Sequence, residues 1–537
     1  MKKLLVTAFV LILILGALAA VSPIASAASS TSETKKPVYG GVLRIIQSSG
    51  PQVLSYKPIM GPGDIVATYP GTETLVSTTA KRGEMSSGVE PVLCERADVD
   101  PKKLTITFKL RKGIYFHDGS ELTAEVAAWN LQLAIDAKNL PYMDFYKGMR
   151  VTDKYTLVID MTKYNNQMMP TWGWWTPMVS KKAWDQASGG DLNKGIEWAR
   201  THLVGTGPFM LKEFKPDVSM TWVKNPNYWR KGRPYLDGIK FEFVKDAVTA
   251  RMAFEAGQAD AWGAPAKDTK ELIAKGYKDQ VSWALLPWGL WPNTVNPDSK
   301  MKNKELREAV EYAIDKNAIA TAIGHGLFKP LKSVPWEGEW GYDPNRGRSY
   351  DPEKAKALLA KNGYSAANPC KINLLLTNAF GPDMIDASTM AKRYLDAVGF
   401  AVTLDVADPG RFFGVELGRN NVPRADQDLC WYFAGGCDTN YLQTYVRWFS
   451  TQPFNWVSFM GRTPEQAEMD RQAMGAPTIP EQIVWTKKAM DYIIGNVLVI
   501  PVYASPGDQL EHPYVHSYRY TQGLTRWQTE EVWMEKH

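Results

Sequence analysis

Twenty tryptophans stand beside 24 tyrosines and 18 phenylalanines in a chain of 537 residues, and their grouping is the first chemical signal. Trp172, Trp174 and Trp175 flank Gly173, Trp288 and Trp291 precede Asn293, and Trp336 and Trp340 sit among Gly and Glu. A fourth group runs Cys430-Trp431-Tyr432-Phe433-Ala434-Gly435-Gly436-Cys437-Asp438, with Asn455-Trp456 shortly after. Indole supplies large rigid apolar area together with one N–H donor. Beside Asp and Asn it can stack on the C–H face of a sugar while polar side chains meet the hydroxyls. An extended peptide would instead be held through its backbone, with an acidic residue for its amine and wet pockets for its side chains. Core packing explains any one of these rings, but clusters beside Gly and Pro point to recognition. The candidate ligand-binding residues are Trp172, Trp174, Trp175, Trp288, Trp291, Trp336, Trp431, Tyr432, Asp438, Asn455 and Trp456.

Covalent chemistry leaves no comparable trace. There is no G-x-S-x-G elbow and no H-E-x-x-H. Gly190 to Gly195 has the spacing of a phosphate loop, but Ile196 stands where Lys is needed. Gly205-Thr206-Gly207 lacks the third Gly of a dinucleotide fingerprint. His512 and His516 are four apart with Pro513 between them, which argues against one helical face. His117, in Phe116-His117-Asp118-Gly119, reads as a ring bonding a turn backbone. No metal and no cofactor is expected, since His and Met do not cluster as ligands. Paired carboxylates need no local signature, so a secreted glycoside hydrolase stays open as a rival.

The composition excludes a disordered or collagen-like chain, and 62 Lys+Arg against 57 Asp+Glu is too even a balance to announce nucleic-acid binding. Lys2 and Lys3, an apolar run from Leu4 to Ala20 and the Ala25-Ser26-Ala27 triplet have the order of a cleavable signal peptide, residues 1–27. Cleavage there lowers the formal charge from +5 to +3. Residues 28–37 read as a flexible leader, and no later apolar run is long enough to span a bilayer. An extracytoplasmic, soluble mature protein is expected. Among Cys94, Cys370, Cys430 and Cys437 three pairings are possible. Cys430 with Cys437 is the favoured disulfide because they close a short loop.

The elements that must position these residues read as mixed α/β. Gly41 to Gln47 predicts a strand. Leu104, Ile106, Phe108 and Leu110 alternate with polar residues, as do Leu157, Ile159 and Met161, and Ile239, Phe241 and Phe243. Asp351 as cap, Pro352 at the first position and Gly363 beyond the end bracket a helix. A second helix is expected from about Lys304 to Ile323, ended by Gly324. Ile372 to Leu376 and Val402 to Val406 are short apolar strands of a sheet covered by helices. A chain this long is expected to divide into lobes.

Several segments fall in a recognisable order. They include Leu110-Arg111-Lys112-Gly113, Phe116-His117-Asp118-Gly119, Gly205-Thr206-Gly207-Pro208-Phe209 and Asn225-Pro226-Asn227-Tyr228-Trp229. Tyr235-Leu236-Asp237-Gly238-Ile239, Ala256-Gly257-Gln258-Ala259-Asp260, Leu306-Arg307-Glu308-Ala309-Val310, Tyr350-Asp351-Pro352-Glu353 and Ile500-Pro501-Val502-Tyr503 follow. This series resembles the family 5 extracellular solute-binding proteins, the peptide/nickel class of ABC-importer receptors. The resemblance implies a two-lobed, class II periplasmic-binding-protein-like fold with a hinge, enlarged by an extra domain. Lobe I would combine 38–70, 205–288 and 504–537, the inserted domain 71–204, and lobe II 289–503. In peptide receptors of the family, the stretch matching 430–442 carries an Asp that can hold the peptide amine. Here Asp438 follows Cys437 and precedes Thr439, so the register is altered.

The expected function is a monomeric receptor that captures an oligosaccharide or oligopeptide by hinge closure, with a slight lean to oligosaccharide, and delivers it to an ABC permease. The rivals are an oligopeptide-specific receptor, the secreted glycoside hydrolase and an adhesive surface protein.

Overall fold

The computed structural model describes residues 35–60, 62–78, 89–136, 145–169, 172, 176–279, 282–377, 380–408, 410–412, 414, 427–434, 441–450, 457–507, 509–516 and 527–535. All that follows concerns the unit Val38–His537. Two large sheets and one small one organise it. The first has the order Lys278–Asp279, Leu510–Glu511, Ala261–Trp262, Val42–Gln47, Gly238–Phe243, Ser219–Lys224, Phe209–Lys215. Its centre is the parallel pair Val42–Gln47 and Gly238–Phe243, where Leu43 and Ile45 lie opposite Ile239 and Phe241 and all four are buried. The second runs Lys329–Pro330, Ile500–Gly507, Ser282–Pro292, Leu429–Phe433, Cys370–Thr377, Phe400–Ala407. The third is the antiparallel sheet Cys94–Asp100, Thr105–Leu110, Thr156–Met161, Tyr146–Asp153. The alternation read from the sequence holds: Ile106, Phe108, Leu157 and Ile159 pair face to face, fully buried.

The helix expected at Asp351 is present as Pro352–Lys361, with the Asp351 carboxylate accepting from the Lys354 N–H at 3.0 Å and Gly363 at φ +83°. The single helix expected over Lys304–Ile323 is two, Lys304–Ala313 and Lys316–Gly324. Ile314 is extended, and the Asp315 side chain accepts from the Ala318 N–H as a new N-cap, at 3.0 Å. Apolar spacing continued across the break, so periodicity alone hid it.

Residues 71–204 are tied to the first sheet's surroundings by close backbone contacts. A Cβ on Gly205 would lie 2.0 Å from Gly71 O, and one on Gly207 2.5 Å from the Gly71 carbonyl carbon, so only glycine fits. His117 seals this joint as the sequence suggested. Its Nδ1 accepts from the Gly205 N–H at 3.3 Å and its Nε2 bonds Gly207 O at 3.0 Å. Glu73 is buried beside it, accepting from Thr206 Oγ1 (3.1 Å), Tyr228 OH (2.9 Å) and Trp229 Nε1 (3.0 Å). On the far side Leu54 and Ser55 donate to Ala199 O at 3.0 and 3.1 Å. Among the described residues no helix is long and apolar enough to cross a membrane.

Candidate functional site

Two strands carry the chain between the large sheets. Asp279 ends the first sheet just before Ser282 opens the second, and Gly507 ends the second just before Leu510 re-enters the first. Both strands straddle the lobe boundaries expected at 288/289 and 503/504. Ligands of open α/β sheets bind outside the carboxyl ends of strands. That rim is formed by the ends of Cys370–Thr377, Leu429–Phe433 and Ile500–Gly507, and by the opening half of the antiparallel Ser282–Pro292.

Register decides which side chains meet there. Trp288 lies opposite Phe433 on one neighbour and Tyr503 on the other, so the three share a face of the sheet. The rings of Trp288 and Phe433 are 4.2 Å apart between centroids. Phe380, just past the strand Cys370–Thr377, closes on both, 5.5 Å from Trp288 and 5.1 Å from Phe433. Trp288 Nε1 donates to Ser505 Oγ at 2.9 Å, which orients the indole. Phe328 stacks on Tyr503 at 5.1 Å. Phe380, Phe433 and Ser505 are half-buried, so the cluster keeps an open side.

Asp383, in the first turn of the helix Pro382–Val398, gives this rim a carboxylate. It is half-buried, and among the described residues no hydrogen bond or ion pair reaches it. Burial raises its pKa above the usual carboxylate value, Asp386 adds to that, and His325 opposes it. Its charge also reaches the phenol of Tyr503, whose pKa burial pushes far up. Aromatic rings, a hydroxyl and an uncompensated carboxylate can hold an amine-bearing or partly apolar solute. They offer no nucleophile paired with a base. Among the described residues no group of three or more His, Cys, Asp or Glu could hold a metal.

The other predicted residues distribute as follows. Trp291 and Tyr432 project to the opposite face of the same sheet. Trp291 stacks on Phe449 (5.1 Å) and Trp448 (6.1 Å) and donates to Phe433 O at 2.6 Å. Tyr432 packs on Trp448 and Phe412, each 5.5 Å away. Trp431 is fully buried with its ring 6.2 Å from Tyr503, and its indole N–H finds no acceptor among the described residues. Trp172 is buried with its ring 6.4 Å from that of Tyr146 on the strand Tyr146–Asp153 of the third sheet. Trp336 is half-buried, edge-on to Tyr441 at 6.2 Å, and Trp340 is buried. Trp174, Trp175, Asp438, Asn455, Trp456 and Cys437 lie outside the described residues. Cys430 is buried on the strand Leu429–Phe433. Sequence reasoning missed Phe380, Phe433, Tyr503, Ser505 and Asp383. Phe433 adjoins the singled-out Trp431-Tyr432 pair and Tyr503 sits in a motif read as structural, whereas nothing local distinguishes Asp383.

Comparison with known proteins places this geometry. Residues 88–453 match the family described as bacterial extracellular solute-binding proteins, family 5 middle. The heme-binding protein A of Haemophilus influenzae is 28% identical over 390 residues, which cover 63% of this chain and 70% of that one. The oligopeptide-binding protein AppA of Bacillus subtilis is 25% identical over 349 residues, 58% of this chain and 61% of that one. Among solved structures, the periplasmic binding protein DppA from Helicobacter pylori in complex with the peptide STSA superposes with a TM-score of 0.79 at 21% identity. That superposition covers 93% of this chain and 99% of that one. AgaA of A. tumefacien R10 with agropinic acid gives 0.77 at 22%, covering 93% and 99%. The fold is therefore the mixed α/β, two-lobed binding-protein architecture.

Proposed function

Starting from the premise that this chain belongs to the family 5 bacterial extracellular solute-binding proteins, we propose that it captures a peptide-class solute bearing a cationic amine. The chain is a solute-binding receptor of an ABC importer and not an enzyme, as its relatives are. Family members work outside the cytoplasm and pass their solute to a membrane permease. Residues 1–27 act as the export signal in this reading, which the order of charge, apolar run and small residues supports. Lobe I is 38–70 with 205–288 and 504–537, lobe II is 289–503, and 71–204 is carried on lobe I. The distribution of the three sheets and the joint at Gly71, Gly205 and Gly207 support that division. Ligand shifts the population toward the closed arrangement in proportion to its preference for it.

One observation carries the peptide reading: the half-buried carboxylate of Asp383, with no hydrogen bond or ion pair among the described residues, stands on the helix that follows Phe380, whose ring meets Trp288 and Phe433, and its charge reaches the Tyr503 phenol. The tryptophan count alone favours an oligosaccharide. Trp172, Trp222, Trp291 and Trp431 are fully buried, so much of that count serves core packing. Two structural neighbours, DppA and AppA, were solved with a tetrapeptide and a nonapeptide. A thermal-shift screen of the mature protein against short peptides and against oligosaccharides tests the reading. Stabilisation by peptides, growing with the logarithm of concentration above Kd, is expected. Stabilisation by glycans alone would replace it.

A further inference from the structure

A loop of the 71–204 region reaches across to the end of a helix in the second lobe. Asn166, just past the strand Thr156–Met161, donates from Nδ2 to Ala473 O at 2.8 Å and to Ala476 O at 2.9 Å. Its own backbone N–H donates to Met474 O at 2.9 Å. These acceptors are the last carbonyls of the helix Pro464–Gly475 and its C-cap residue, which a helix leaves without internal partners. The amide is held for this task. Gln167 Nε2 donates to Asn166 Oδ1 at 2.7 Å, which turns the Asn166 NH₂ toward the carbonyls. Asn165, buried alongside, approaches Met474 Sδ through Nδ2 at 3.6 Å and fixes the turn by accepting from the Gln167 N–H at 2.7 Å.

The two ends of this contact belong to bodies anchored differently. Residues 71–204 are locked to lobe I through Gly71, Gly205 and Gly207, His117 and Glu73. Pro464–Gly475 packs on Ile479–Gly495 of lobe II. Gln482 of that second helix donates to Ala476 O at 3.3 Å, and so holds the acceptor in place. The side-chain polar pairs are separated by 307 to 310 residues along the chain, so no local segment enforces them.

We infer that Asn166 is an interlobe latch: a C-cap supplied to lobe II by the domain carried on lobe I, made when the lobes close and broken when they open. It rests on the hinge-closure reading. The latch touches no solute, so it acts on affinity only through the population of the closed state. Apparent Kd equals the intrinsic Kd divided by the competent fraction. Weakening the latch therefore weakens every ligand by one common factor. An Asn at this position tunes how much of the free receptor is already closed.

The test uses the mature chain with a spin label on an exposed residue of each lobe, Val218 and Val484, placed by substitution with Cys in a background whose native thiols have been blocked or replaced. Interlobe distances are measured without ligand for the parent, Asn166→Ala and Asn166→Asp. The Asp variant keeps the size of the side chain but turns a carboxylate toward carbonyl oxygens. Both are expected to shift the distance distribution toward the longer, open population, Asp more than Ala. Two chemically different bound peptides are then expected to lose affinity by the same factor, about tenfold for a change near 1.4 kcal/mol. Unchanged interlobe distances in both variants would overturn the latch, as would a loss confined to one peptide. The distance measurement needs no solute, so a receptor that binds no peptide would sink the ligand reading and leave the latch to stand or fall separately.

Discussion

Trp288 and Phe433 face each other across adjacent antiparallel strands with ring centroids 4.2 Å apart, and Ser505 fixes the indole through its N–H. This pair sits on the strands Ser282–Pro292 and Leu429–Phe433 of the second large sheet, the first of which follows directly on the first sheet's Lys278–Asp279. A solute lying on that rim, as proposed, would touch rings whose orientation is already set, so little side-chain entropy would be lost on binding.

Replacing Trp288 by Ala is expected to weaken peptide binding by about 1 to 3 kcal/mol, the range for losing an aromatic anchor. Calorimetric titration checks this, and tryptophan emission should change on binding in the parent and change less in the variant. Full affinity in both Trp288→Ala and Phe433→Ala would move the site elsewhere.

Trp431→Ala should act differently. The ring is fully buried, so its loss leaves a cavity and is expected to cost about 3 to 5 kcal/mol of stability. Chemical denaturation measures it.

Asp383→Asn is expected to raise the unfolding temperature of the ligand-free protein at neutral pH while lowering affinity for amine-bearing peptides. The sign follows from its raised pKa: the folded state holds the proton more tightly than the unfolded chain. Stability from this group falls as pH rises from 3.8 through the raised folded value. Removing the charge removes that loss, and removes the partner of the ligand's cation. A variant that loses stability and keeps affinity would show that Asp383 serves the helix alone.

His117 gives the opposite slope. Burial lowers its pKa below 6.5, against the Gly207 carbonyl and Asp118, which favour the charged ring. The unfolded chain takes up a proton first, so stability is expected to drop as pH falls from 6.5 toward the lowered folded value. Denaturation midpoints between about pH 7 and pH 5 should fall less steeply in His117→Gln than in the parent.

Burial pushes the Cys94 thiol up to about 12 and the Cys370 thiol up to about 11, so neither should react with a thiol reagent in the folded protein at neutral pH. We propose the remaining pair, Cys430 with Cys437, as a disulfide. Mass spectrometry of the unfolded, unreduced protein should then find two free thiols, and reduction should cost about 2 to 4 kcal/mol. Four free thiols would dismiss the pairing.

Strand and helix identity was legible wherever burial repeats along the chain. The alternation at Ile106 and Phe108, and the Asp351-Pro352 start with Gly363 beyond the end, depend on neighbours a few residues away. The break at Asp315 was not legible, because apolar spacing runs on through it and only the extended Ile314 backbone reveals the second cap. For the proposed site, aromatic composition singled out Trp288 and Trp291 together but could not tell that the two, three residues apart, face opposite sides of the sheet. Odd and even positions of a strand face opposite sides of the sheet.

The amino-acid sequence by itself determined the architecture, the receptor class and the absence of local catalytic motifs, because motif order and periodicity are properties of short segments taken in series. Tertiary structure alone decided that Trp288 meets Phe380, Phe433 and Tyr503 from four separate segments, that Asp383 has no hydrogen-bond or ion-pair partner among the described residues, and that Asn166 caps a helix some 310 residues away. Register, burial and desolvation arise only when distant segments share space, and no pattern within one segment encodes them.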